Sequence, residues 1–115
     1  MKLLTKALEK QLPHFHYNEE KNRSLKEHIC IFKLFAPWNS YTLFVCEGEK
    51  QDDGDWMLWG IVVGLAEDEF GYTMLSEIEA LNGPAGLKIE RDLYFDSKPL
   101  GEIASLKKYW ERWED

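Results

Sequence analysis

The sequence predicts an α+β fold: an antiparallel β-sheet of three to five strands in a meander, packed with short N-terminal, middle and C-terminal helices. Two observations carry this. Apolar runs rich in β-branched and aromatic residues recur at "HICIFKLFA", "SYTLFVCE" and "WMLWGIVVGL", separated by turn-forming residues. Apolar residues at helical spacing flank them, in "LLTKALEKQLP" before and "SKPLGEIASLKKYWERW" after.

Taken in order, Leu4, Leu8 and Leu12 fall on one face of a first helix, with Thr5 as N-cap and Pro13 as stop. "HFHYNEEKNRSLKE" is polar and aperiodic and reads as a loop. The first two apolar runs form a hairpin about Pro37, Trp38 and Asn39. Gly48, Asp52, Asp53 and Gly54 supply turn chemistry before the third run, and "FGYTML" adds a short strand. A middle helix then places Met74, Ile78 and Leu81 on one face, with Thr73 or Ser76 as cap and Gly83 with Pro84 as terminator. "LKIERDLYF" is an edge strand or an ordered loop. The last helix starts with Ser97 and Pro99 at cap and first-turn positions and aligns Leu100, Ile103, Leu106, Trp110 and Trp113 in one stripe.

A chain of 115 residues with 44% hydrophobic and 14% aromatic content fits one domain, 1–115, able to bury a core. No internal repeat or linker divides it. No apolar run approaches the roughly 20 residues that span a bilayer, so the expected location is the cytoplasm, with no membrane partner. The net charge of −7 is unevenly distributed. Residues 1–46 carry seven bases against four acids, 47–87 ten acids against Lys50 alone, and 88–115 six bases against seven acids. Net acidity argues against direct, nonspecific nucleic-acid binding, which rests on neutralising phosphates.

The motifs of chemistry are sparse. Cys30 and Cys46 fall on partner strands, and pairing of Ala36 with Ser40 would set them face to face, with His28 on the same side as Cys30. A zinc site wants four ligands, and His14 and His16 lie in a separate loop, so buried thiols are the better reading. Neither cysteine adjoins a feature that would lower its pKa for nucleophilic work. "DDGD" at 52–55 fails as a calcium loop because Val63 stands where the closing glutamate belongs, leaving a soluble hairpin tip. The stretch "AEDEFGY" reads as a turn that Gly71 eases, with Tyr72 packing or anchoring. Five tryptophans, Trp38, Trp56, Trp59, Trp110 and Trp113, divide between core packing and interface anchoring.

From Gly60 on, the phrases become specific. Gly64 with Leu65, Glu69 before Gly71 and Tyr72, the Ser76–Glu79 helix start, Gly83 with Pro84, and Ile89 to Asp92 (with Glu90 and Arg91) follow the opening "MKLLTKALEKQLP". Together they resemble a family of small bacterial domains of unknown function, numbered twenty-nine fifty-eight. The resemblance implies a setting on conjugative plasmids and other mobile elements, and no reaction. The chain departs from the family pattern in its central strands, where "HICIFKLFAPWNSYTLFVCE" is more aromatic, and in the tail "SLKKYWERWED".

The resulting expectation is a non-enzymatic, acidic protein-interaction domain of a mobile element. Its surface comprises Asp52, Asp53, Asp55, Glu67, Asp68, Glu69, Glu77 and Glu79, with Trp56 and Tyr72 as anchors and no cofactor or metal. Clustered carboxylates can replace phosphates opposite a basic groove, so the partner is a host or element protein, nucleic-acid-binding in the sharpest version: antirestriction or anti-CRISPR inhibition. Two alternatives stand beside it. One is a metal-dependent or hydrolytic accessory enzyme using Glu69, Glu90, Arg91 and Asp92; the other is a DNA-transfer regulator that contacts nucleic acid through the basic N-terminal third. The sequence leaves oligomeric state open.

Overall fold

In the computed structural model, which describes residues 1–113, the apolar runs pair into an antiparallel sheet. Its strands are β2 (Phe32–Phe35), β3 (Thr42–Lys50), β4 (Trp56–Val63), β5 (Glu69–Met74) and β6 (Glu90–Arg91), in the spatial order β5-β4-β3-β2-β6. β2 to β5 form the expected meander. A separate two-stranded ribbon joins β1 (Ile29–Cys30) to β7 (Lys98–Pro99). Four short helices complete the chain: α1 (Lys6–Gln11), α2 (Tyr17–Glu20), α3 (Leu75–Glu79) and α4 (Lys107–Trp113).

β3 is buried on both faces from Leu43 to Gly48, because opposite ends of the chain cover the two sides of the sheet. On one face Leu43, Val45, Leu34 and Leu58 pack with Leu3, Leu4 and Leu12 of the N-terminal segment and with Leu75 and Ile78 of α3. On the other, Phe44, Cys46 and Ile61 pack with Leu100, Ile103, Leu106, Tyr109 and Trp110. Thr5 caps α1 as expected, accepting from the Leu8 amide at 3.2 Å.

A β-bulge interrupts β3. Val45 pairs with Gly60 and the next pair is Glu47 with Trp59, so Cys46 is the extra residue. Strict alternation would turn Glu47 toward the same side as Val45. The bulge instead sets Cys46 and Glu47 on one face, the face that the C-terminal segment and residues 13–28 cover.

Several sequence-based expectations are corrected. The first hairpin is shifted by one residue, with Phe35 opposite Thr42, and β1 leaves it to pair with β7. Cys30 and Cys46 all the same share one buried cluster as free thiols. His28 is not on a strand but ends a 3-10 turn over Leu25–Glu27, closed by a Ser24–Glu27 capping box. The aperiodic loop also contains the one-turn helix α2. α3 begins at Leu75, after Met74 as N-cap, so neither Thr73 nor Ser76 caps it, and Leu81 is exposed.

The C-terminal stripe is buried at Leu100, Ile103, Leu106 and Trp110, yet the segment is not one helix. Ser97 and Pro99 belong to the ribbon region, two 3-10 turns follow at Leu100–Glu102 and Ala104–Leu106, and only then does α4 begin. Consecutive 3-10 turns also return every third side chain to one side, which is why the apolar pattern could not distinguish them from a helix. The Trp113 side chain lies outside the described residues.

Candidate interaction surface

β5 is an edge strand: β4 pairs with it on one side, and among the described residues no strand lies on the other. Its register with β4, from Met57 opposite Met74 to Val62 opposite Glu69, decides where the acidic residues go. Glu67, Asp68 and Glu69 sit at its start. Asp52, Asp53 and Asp55 sit on the β3–β4 hairpin tip, beside its end. The two groups are therefore separated by the length of β4, seven residue steps or roughly 23 Å. They flank an open edge rather than forming one continuous face.

The individual carboxylates differ in their engagement. Asp55 accepts from the Ser76 amide at 3.1 Å and from the Ser76 hydroxyl, tying the hairpin tip to the first turn of α3. The Ser76 hydroxyl bond, aided by the Trp56 and Ser76 amides, holds the Asp55 carboxyl below its ordinary value. Asp68 pairs with Arg112 on α4 and accepts from the Gly64 amide at 3.3 Å. Asp52, Glu67, Glu69 and Glu77 are exposed, as is Asp53, which accepts from the Asp55 amide at 2.9 Å. Glu79, at the far end of α3, lines an open groove of about 420 Å³ with Met1, Lys88 and Glu90 and lies apart from both groups.

Of the two expected anchors, Tyr72 is 51% exposed and projects from the middle of β5, its ring edge-to-face against Phe15 at 5.1 Å. Trp56 is half-buried against the N-terminal core. Leu65, 54% exposed in the β4–β5 turn, adds an apolar side chain beside Glu67.

The residues that match the family pattern are mostly architectural. Gly64 has φ +90°, and a Cβ there would lie 1.7 Å from the Ser40 carbonyl oxygen, so no other residue fits the turn. Gly83 lies under the Trp38 ring, where an added Cβ would come within 2.3 Å of the ring, and Pro84 opens the turn that follows. Arg91 donates to the Leu3 carbonyl at 3.1 Å and to that of Lys2, fastening the N-terminal segment. Asp92 pairs with Lys33 at 3.5 Å and accepts from the Tyr94 amide at 2.9 Å, while Glu90 lies opposite Phe35. Gly71 is not in a bend: it is an extended strand residue opposite Gly60, with open space where a Cβ would be.

The alternative chemical constellation does not assemble. Glu69 starts one edge strand, whereas Glu90 and Arg91 form the opposite edge with Asp92 beside it, four strand spacings or roughly 19 Å away. Among the described residues no three His, Cys, Asp or Glu side chains converge as a metal site. Burial, with the Cys30 thiol next, pushes the Cys46 thiol well up, the reverse of nucleophile activation. The basic N-terminal third is partly engaged internally, with Lys33 on Asp92 and Arg23 on Asn18.

One polar centre escaped the sequence reading. The buried Glu47 carboxylate accepts from the His16 amide at 2.9 Å, the Asn18 amide at 3.0 Å and the Asn18 side chain at 2.7 Å. Asn18 in turn accepts from Arg23 at 3.0 Å and from the Ile29 amide at 3.3 Å. Glu49 accepts from the Phe15 amide at 2.9 Å, so β3 holds residues 15–18 by two carboxylates. That anchoring sets Phe15 against Tyr72 and so shapes the face beside the β5 edge. Only an acidic pair two residues apart on a strand, Glu47 and Glu49, hinted at it.

These features define a small α+β domain whose sheet is covered on both faces and open along one edge, with acidic groups at both ends of that edge. The chain belongs to the family described as protein of unknown function (DUF2958), whose model matches residues 3–110. No curated protein and no solved structure matches it. Among the described residues no helix is long and apolar enough to cross a membrane.

Proposed function

We propose that the chain is a non-enzymatic protein-interaction domain whose acidic β5 edge binds a basic protein surface. The observation that carries this reading is the placement of solvent-facing Glu67, Glu69, Asp52, Asp53 and Glu77 around an edge strand with no outer neighbour among the described residues, beside exposed Tyr72 and Leu65. Exposed aromatic and aliphatic groups ringed by charge suit a docking surface, the apolar groups supplying affinity and the charge speeding encounter. A surface that neutralises phosphates is the natural counterpart. In the mobile-element setting that the family resemblance implies, the partner is a nucleic-acid-binding host defence protein, whose groove the domain occupies.

The test is affinity capture in a bacterial host with the wild-type chain and with a variant carrying Glu67→Lys, Glu69→Lys and Asp53→Lys. Recovery of a nucleic-acid-binding protein that is lost with the variant, falls with salt and is competed by nucleic acid supports the reading. Partners recovered equally by both forms overturn it.

A further inference from the structure

Resting on that reading, we infer that the β5 edge takes its partner by strand addition: an extended segment with Lys or Arg at each end pairs with Glu69–Met74 as a sixth strand. The backbone supplies the first reason. An edge strand offers outward N–H and C=O groups at alternate residues, and no strand among the described residues uses those of β5. Gly71, in the middle, has nothing within 4 Å of a Cβ position. An incoming backbone thus meets no side chain there.

Natural edges are commonly blocked by proline, by an inward-pointing lysine or by a bulge. β5 has the sequence Glu-Phe-Gly-Tyr-Thr-Met and an unbroken register against β4, with none of these. The opposite edge differs: β6 is two residues long, and Arg91 fastens it to the N-terminal segment.

Charge selects the occupant. Glu67 and Glu69 stand at the start of β5, with Asp52, Asp53 and Glu77 around its end. Antiparallel pairing of two copies through β5 would bring the first group of one chain against the second group of the other, acid against acid. A second copy is therefore disfavoured, and a segment basic at both ends is favoured in either direction. Phe70 and Tyr72 lie on the side that faces α4, which gives the added strand an aromatic neighbour for alternate side chains.

The experiment uses the whole chain and a panel of peptides of about ten residues, with paired Lys or Arg ends around an alternating Val/Thr centre. Each is matched by a copy bearing N-methyl groups on alternate central residues, which keeps charge and side chains but abolishes strand pairing on one edge, with both methylation phases made. The expected result is binding in low salt, at least about tenfold weaker for the methylated copy whose blocked edge faces β5, with amides of residues 69–74 exchanging about tenfold more slowly in the complex. Equal binding of parent and both methylated copies, or protection elsewhere, overturns strand addition while leaving an acidic docking surface intact. Failure of every peptide to bind in low salt overturns the acidic surface too. A concentration-dependent dimer that protects residues 69–74 assigns the edge to a second copy and overturns the basic occupant.

Discussion

Truncating Glu47 to alanine tests the polar centre that holds residues 13–28 on the sheet. The side chain is 3% exposed and accepts three N–H bonds, from the His16 amide, the Asn18 amide and the Asn18 side chain. Hydrogen bonds to a carboxylate contribute about 1.5–3 kcal/mol each, and the desolvation of the carboxylate itself offsets part of that sum. Losing all three while the donors stay partly buried should therefore cost about 4 kcal/mol, against a total of about 5–15 for a domain of this kind. For this chain length that corresponds to a fall of about 15 °C in Tm. Glu47→Gln keeps the volume and one good acceptor, and should cost about half as much. Urea unfolding followed by tryptophan fluorescence measures both, since Trp59 stands opposite Glu47 in the β3–β4 pairing. A Glu47→Ala midpoint that implies a loss below about 1 kcal/mol would refute the reasoning, because it would mean the amides find water at no cost.

Gly64→Ala combines a positive φ with a contact of 1.7 Å to the Ser40 carbonyl and should lose about 2–4 kcal/mol. Gly71→Ala, where space is open, should change stability by no more than about 0.5 kcal/mol, and paired thermal melts of the two variants separate a required glycine from a tolerant one. His28 is 3% exposed, and burial, opposed by the Glu47 carboxylate, holds its pKa below the ordinary 6.5. The ring thus takes up its proton at a lower pH in the folded state than in the unfolded chain, so stability should decline as pH falls from about 6.5 toward the lowered folded-state pKa, by at most about 1.4 kcal/mol per pH unit, and level off below it. Urea midpoints between about pH 7 and 5 measure the slope, which His28→Phe should flatten.

How much was legible follows from what kind of signal each feature leaves. Leu4, Leu8 and Leu12 announce α1 because one helix face meets one core, and the apolar runs of β2 to β4 announce the sheet because β3 is buried on both sides. The break in the C-terminal segment left no trace, since Leu100, Ile103 and Leu106 satisfy a 3-10 spacing as well as a helical one. The β3 bulge is a matter of pairing, not of composition, and it is what places Glu47 on the face where it anchors a loop. The acidic middle of the sequence was plain to count. Its division between the two ends of β5 required the strand register, and the engagement of Asp55 by Ser76 and Asp68 by Arg112 required contacts between residues 21 and 44 apart in the chain.

The covering of the sheet by opposite ends of the chain also sets the order in which the protein can be made. During synthesis β2 to β5 emerge with Leu3, Leu4 and Leu12 available for one face, but Phe44, Cys46 and Ile61 have only the segment through Leu25 and Cys30 beside them until Leu100 to Trp110 follow. A nascent sheet with one half-covered apolar face and an open edge is the kind of species that associates with itself or with a chaperone. Completion of this fold thus waits on Leu100 to Trp110. A premature stop before Leu100 would yield a sticky half-covered sheet rather than a smaller version of the domain.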